Sequence, residues 1–359
     1  MADAGRSLTK SVARTELLSF GNAAASAIPV DPHGNDRARS QERVVQAALA
    51  VGEVDQAEGI ARTIPNWRRG MAMAEIASRR VRDGELDAAR RAIADAERVA
   101  GQNIEWRKVF VEGAVARAQA ELDLATGAVA AGSAEDRTVE AQLAELTPIT
   151  AKGNFDEVRG ALDACVDLYQ EHYANIERRS LIESTVTSSW TRLPIVVRVE
   201  LLERMTRIAI EHRDSDRAKA LLDQAKAMVD GAQWVPEEHV PTLARLAALR
   251  ADAGDMGAAR AEAEAARETY RKRREEMLSF DRADALAPLA SAYQRMGDVT
   301  AALELFRLAI EEGAENPNAR PRAMDLAATC ATMAEAGFEP DEALKSRIRT
   351  ILGGLVAPW

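Results

Sequence analysis

The side chains that could do chemistry are scattered along this chain. Its four histidines, His33, His172, His212 and His239, never fall three or four residues apart, and none sits beside a cysteine. A metal centre needs ligands gathered on one helix face or in a tight loop, so none is expected. Cys165 and Cys330 lack CxxC spacing and are too few for a disulfide framework; two buried thiols in a reducing compartment are expected. No nucleophile elbow, phosphate loop or dinucleotide glycine fingerprint occurs. Neighbouring carboxylates at Glu237-Glu238 and Glu275-Glu276 could in principle exchange protons, but on helices of a protein with net charge −10 they should face solvent. The expectation is a non-enzymatic protein with no cofactor.

The one basic run is Arg271-Lys272-Arg273-Arg274. Phosphate binding would need cations free of acidic neighbours and interleaved aromatics. Here Glu275-Glu276 follows at once and Tyr270 is the one aromatic nearby, so a solvated helix face is expected. The pI of about 5.2 argues against a general nucleic-acid binder. The chain has 40 arginines and 7 lysines, a skew typical of a GC-rich, bacterial genome. His212 and His239 should sit solvated near helix ends. Trp67-Arg68 and Trp106-Arg107 stand near helix starts, where anchoring between helices is expected and stacking of arginine on indole is the alternative.

The elements that must carry these residues are helices. Hydrophobic residues make up 47% of the 359 and aromatics only 4%, a balance that disfavours β-sandwiches and barrels. A punctuation mark recurs: glycine, then an acidic residue or Asn, then alanine about five positions on. It stands as Gly52-Glu53-Val54-Asp55-Gln56-Ala57, Gly84-Glu85-Leu86-Asp87-Ala88-Ala89, Gly254-Asp255-Met256-Gly257-Ala258-Ala259 and Gly297-Asp298-Val299-Thr300-Ala301-Ala302. Weaker copies begin at Gly153, Arg213 and Gly337, and well-formed neighbours are spaced by 32, 41, 43 and 40 residues. Glycine can end a helix in the left-handed conformation, and the acidic residue can cap the next one. Each copy therefore predicts a tight turn between antiparallel helices. Apolar residues at three-to-four spacing agree, as in Leu286, Leu289, Ala290 and Tyr293 before Gly297 and Ala302, Leu305, Phe306 and Ala309 after it. One such pair cannot bury its apolar face alone, so pairs must stack.

On these residues the chain resembles the tetratricopeptide repeat family. Residues 283–313 match at eight positions: Leu286, Leu289, Ala290, Tyr293, Gly297, Ala302, Phe306 and Ala309. Segments 38–69, 70–100, 199–229 and 240–270 resemble degenerate copies, in which Ala48, Arg80, Ala209 and Arg250 replace the family's aromatic. Pro288 is out of place and should delay or kink its helix. The resemblance implies an all-α fold, an α-solenoid of antiparallel hairpins in a right-handed superhelix. Residues 1–36 are expected to be an arm or linker, with a loose helix over 1–20. Residues 37–359 form a single array, irregular near 101–150 and capped by 341–359. In the irregular part, helices are expected over 105–123 and 135–146, with a small-residue stretch from Thr126 to Ser133 between them.

The resemblance also implies a concave groove lined by first helices. Its positions fall on Glu42, Gln46, Met71, Ala74, Ser78, Glu200, Glu203, Arg207, Glu211, Ala244, Ala248, Asp252, Asp284, Ala287, Ser291, Gln294 and Arg295. The Lys and Asn that clamp chaperone carboxylates in one subtype are missing, so that activity is not expected. The implied function is a scaffold or adaptor binding a peptide, helix or partner domain. A structural subunit of a larger or self-assembled complex, or a ligand-sensing regulator, are the alternatives. No stretch reaches the ~20 apolar residues of a membrane span. Lys10 and Arg14 precede an apolar segment broken by Thr15, Glu16, Ser19, Gly21 and Asn22, so a cytoplasmic protein is expected and export is the alternative.

Overall fold

The computed structural model describes residues 2–102, 105–128 and 139–359, excluding the side chains of 2–11, 105 and 106. All regular structure among the described residues is helical, with no strand. The chain folds as a helical repeat in two compact units. Unit 1 comprises Met1–Ser133, Leu278–Gln294 and Val299–Trp359, and unit 2 comprises Ala134–Met277 with Arg295–Asp298. The first part of unit 1 contains α1 (Ala2–Ala27), α2 (Val30–Ala50), α3 (Val54–Ala61), α4 (Arg68–Arg82), α5 (Leu86–Gly101) and α6 (Glu105–Thr126). Unit 2 contains α7 (Val139–Lys152), α8 (Phe155–Glu171), α9 (Ile176–Ser189), α10 (Ile195–Glu211), α11 (Ser215–Asp230), α12 (Pro236–Asp252) and α13 (Met256–Arg273). The chain then supplies α14 (Ser279–Arg295), α15 (Val299–Ala314), α16 (Ala319–Glu335) and α17 (Glu342–Gly353).

The glycine punctuation works as its chemistry requires. Gly84 and Gly254 take φ of +79° and +78°, and Arg213, at a weak copy, takes +59°. Each closes a helix in the left-handed region. Capping is more selective. Asn154 forms a capping box with Glu157, and Asp214 and Asp255 accept from the backbone N–H groups of Arg217 and Ala258. Glu53 and Glu85 cap nothing. Glu85 instead reaches Arg80.

That contact is one of several made by two buried arginines. Arg80 and Arg250, where the resemblance leads one to expect an aromatic, are 8% and 4% exposed and staple neighbouring helices by charge. Arg80 pairs with Asp55 and Glu58 as well as Glu85. Arg250 holds Glu262 at 2.6 Å, Asp223 at 2.8 Å and Asp255 at 3.1 Å.

The first 36 residues differ from the expected arm. Residues 2–27 form α1, which lies along α16 and α2, with Leu17, Leu18, Ala24, Ala25 and Ile28 fully buried. Gly21 is the point of closest approach. A Cβ there would stand 3.2 Å from Val44 Cγ2 and 3.3 Å from the Ala327 carbonyl. Glu16 receives Lys345 and Arg349, both at 2.9 Å. α17 packs on α1 and α15, and the Pro358 carbonyl accepts the Ala319 N–H at 2.8 Å.

Pro288 does not delay its helix: α14 begins at Ser279 and runs through it. The missing donor leaves the Asp284 carbonyl without its helical partner, at a position exposed to solvent. In the irregular middle, α6 runs three residues past the expected end at 123, and α7 runs to Lys152. The expected start at 135 and most of the small-residue stretch lie outside the described residues.

Candidate functional site

Unit 1 holds a cavity of about 690 Å³. Its walls come from α2 (Asp36, Ser40, Arg43), the first turns of α14 (Phe280, Asp284), the α15–α16 link (Asn316) and α16 (Arg320, Met324, Asp325). Asp325 is set in place with care. It is 6% exposed, and Gly313 stands so close that a Cβ on it would fall 2.8 Å from the Asp325 Cβ. Asn316, itself 3% exposed, donates through Nδ2 to Asp325 Oδ2 at 2.8 Å and to the Gly313 carbonyl at 3.1 Å. Its Oδ1 accepts the Ser279 hydroxyl at 3.0 Å.

The carboxylates here carry charge at a penalty. Burial first, then Asp284 and Asp281, push the Asp325 carboxyl up to about 8, against the Asn316 hydrogen bond. Burial and Asp281 raise Asp284, and Arg43 pulls the other way. On α4, burial and then Glu42 push Glu75 up to about 7, opposed by Arg117. Burial also outweighs Arg68 at Glu42. Glu75 and Asp284 are nonetheless accessible to solvent.

Two arginines of the cavity wall are already engaged. Arg43 makes a two-pronged pair with Glu335 at 2.6 and 2.7 Å and also reaches Thr332. Arg320 bonds Asp36 at 3.2 Å and meets His33 Nδ1 at 3.3 Å.

Unit 2 shows a different surface. A smaller hollow of about 200 Å³ is lined by Arg159, Asp163, Glu200, Glu203, Arg204 and Arg207. Arg159 pairs with Glu200 at 3.0 Å, Arg204 with Asp163, and Arg245 with Glu203 at 3.0 Å. Glu203 is 3% exposed, too deep to face a partner, so reversing its charge would disturb the core. Arg207 is exposed and 3.6 Å from Glu203, and Glu211 is exposed. Asp252 pairs with Arg295.

The expected groove residues therefore divide between the units. Glu42, Gln46, Met71, Ser78, Asp284, Ser291 and Gln294 lie in unit 1, and Glu200, Glu203, Arg207, Glu211, Asp252 and Arg295 in unit 2. Only Asp284 lines the large cavity. Glu42 pairs with Arg68, and Gln46 is exposed. Met71, Ser78, Ser291 and Gln294 are half-buried. Sequence reasoning passed over Asp325, Asn316 and Glu75. A usable signal existed: Asp325 interrupts an apolar run from Ala323 to Ala328, and Glu75 stands between Met73-Ala74 and Ile76-Ala77.

The remaining candidates resolve into structure. Cys165 and Cys330 are buried free thiols, and burial raises both, Cys165 to about 11. His212 stacks on Tyr173 with centroids 4.3 Å apart, and His239 stacks on Trp234 at 6.0 Å. Arg68 lies over the Trp67 ring, 4.9 Å from its centroid. In the basic run, Arg271 and Lys272 pair with Glu268, Arg273 with Glu276, and Arg274 with Glu275. The Trp106 side chain lies outside the described residues.

No family model matches the chain, and no curated protein matches it. Among solved structures the chain is similar to a circular tandem repeat protein "with novel repeat topology and enhanced subunit contact surfaces". The identity is 16% over 97% of this chain and 96% of that one, with a TM-score of 0.32. No helix among the described residues is long and apolar enough to cross a membrane.

Proposed function

We propose that the protein is a non-enzymatic interaction module of the tetratricopeptide-like kind. Its partner is a basic protein segment held against the inward-curving surface of unit 1. The observation that carries this reading is the state of Glu75 and Asp284, accessible to solvent yet desolvated and short of positive charge. A cationic segment laid across them would relieve the penalty, and the net charge of −10 would steer it in. Helical repeats commonly serve as binding surfaces of this sort.

The test is fluorescence anisotropy with a labelled lysine-rich amphipathic peptide and its glutamate-rich counterpart. The basic peptide should bind and weaken with salt, since exposed charges more than ~10 Å apart are screened at 0.1 M. Glu75→Lys should weaken it by roughly tenfold. Equal binding of both peptides, or no change in the variant, would sink the reading.

A further inference from the structure

We propose that the unit 1 cavity is an anchor subsite for a long, flexible cation, with its ammonium or guanidinium head against Asp325 and Asp284 and its aliphatic stem along Phe280 and Met324. This deepens the reading above and rests on it in one respect: the same partner would insert one basic side chain here.

Four observations converge. The cavity, at about 690 Å³, falls within the roughly 300–1,000 Å³ of ligand pockets and is far larger than the head group alone requires. Asp325 lines it while 6% exposed, and among the described residues its one hydrogen bond is through Oδ2 to Asn316, which leaves Oδ1 without a donor there. Of the three arginines lining the cavity, Arg43 and Arg320 are held by Glu335 and Asp36, and Arg39 is exposed to solvent. Phe280 is 51% exposed although it lines the cavity. An aromatic left open beside buried carboxylates suits an apolar stem that ends in a positive charge. The chemistry is that of a lysine or arginine side chain, or of a free polyamine.

Binding should be linked to protons. Asp325, with its pKa pushed up to about 8, is mostly protonated at pH 7. An arriving ammonium favours the carboxylate, so a proton leaves as the ligand enters. The charged neighbours facing Asp325 are Asp281 and Asp284 from α14, Asp36, Arg39 and Arg43 from α2, and Arg320 from α16. The arginines retain their charge across this range. Affinity should therefore rise from pH 6 and level off near 8.

The experiment is isothermal titration calorimetry of the full chain with three probes: spermidine, a blocked peptide with one central lysine, and the same peptide with norleucine in its place. Spermidine, the lysine peptide or both should bind, and whichever binds identifies the source of the cation. Asp325→Asn should weaken binding by roughly tenfold or more and abolish its rise with pH. Asp284→Asn, on the accessible side where folding is not at stake, should weaken it by a smaller factor. Binding of neither cation, norleucine binding as well as lysine, or unchanged affinity in both variants would overturn the proposal. Failure here is distinguishable from failure of the broader reading, because the Glu75→Lys effect on the amphipathic peptide does not require the cavity.

Discussion

Unit 2 and unit 1 are built from the same kind of helices and both use ion pairs between them, but they differ in the carboxylates left without one. In unit 2, acidic side chains on one helix meet an arginine one repeat away in sequence. Arg159 reaches Glu200 and Arg204 reaches Asp163 across 41 residues, Arg245 reaches Glu203 across 42, and Arg295 reaches Asp252 across 43. Charge there serves the stacking of repeats. In unit 1, Asp325, Asp284 and Glu75 are desolvated without such a partner, and the cavity's Arg43 and Arg320 are held by Glu335 and Asp36. A saturated ion-pair row belongs to the architecture. An unsaturated one stores a preference for something that brings positive charge.

The hardest way to break this comparison is to remove a buried staple. Arg250→Ala strands Glu262, whose carboxyl burial already raises against the pull of Arg250. The loss should be about 3–5 kcal/mol, measured by urea unfolding.

The next test asks for opposite signs from the same chemical change. Glu203→Gln should destabilise by about 1–3 kcal/mol, because Arg245 loses a buried charged acceptor. Asp325→Asn should stabilise by an amount on the order of 2 kcal/mol at pH 8. Its sign follows from linkage. A carboxyl raised from 3.8 to about 8 on folding binds its proton more tightly in the native state. The wild type therefore loses stability as pH rises from about 4 to 8, by up to ~1.4 kcal/mol per unit. The variant should lack that part of the slope. A destabilised Asp325→Asn protein at pH 8 would erase the distinction between the units.

Glu75→Gln should act in the same direction but more weakly, since Glu75 is accessible and water screens it. Its effect should be full above about pH 7, where the wild-type carboxyl is charged, and fade as pH falls from 7 toward 4.5; below that the two proteins should converge in thermal melts. The smallest effect belongs to Glu268→Gln. That carboxylate pairs with Arg271 and Lys272 in full solvent, and the melting temperature should not move.

The turns were the most legible part of the sequence, because left-handed glycine is a local requirement that nothing else satisfies as cheaply. The helices beside them followed from periodicity. What stayed hidden was nonlocal. The stripe of α1 is built from Ala13, Leu17, Gly21 and Ala24, too little hydrophobic contrast to separate a core helix from a tail, and its seat is α16. The cavity joins helices far apart in the chain, so no spacing rule could have assembled Asp36, Asp284 and Asp325. Mapping a family's groove onto α4 chose Ala74 and Ser78 and stepped over Glu75 by one position. Position on a helix predicts which way a side chain points; it does not predict whether a counter-charge will be waiting.

The seating of α1 on α16 also sets a schedule for synthesis. Arg43 of the adjoining α2 and Glu335 of α16, which pair beside this seam, are 292 residues apart. At roughly 5–20 residues per second, the ribosome needs about 15–60 s to cover that interval. Throughout it α1, with Leu17, Leu18 and Ile28, has α2 beside it but lacks α16. For that time one face of α1 stays uncovered, and any helper protein that shields it has a defined target in residues 12–28.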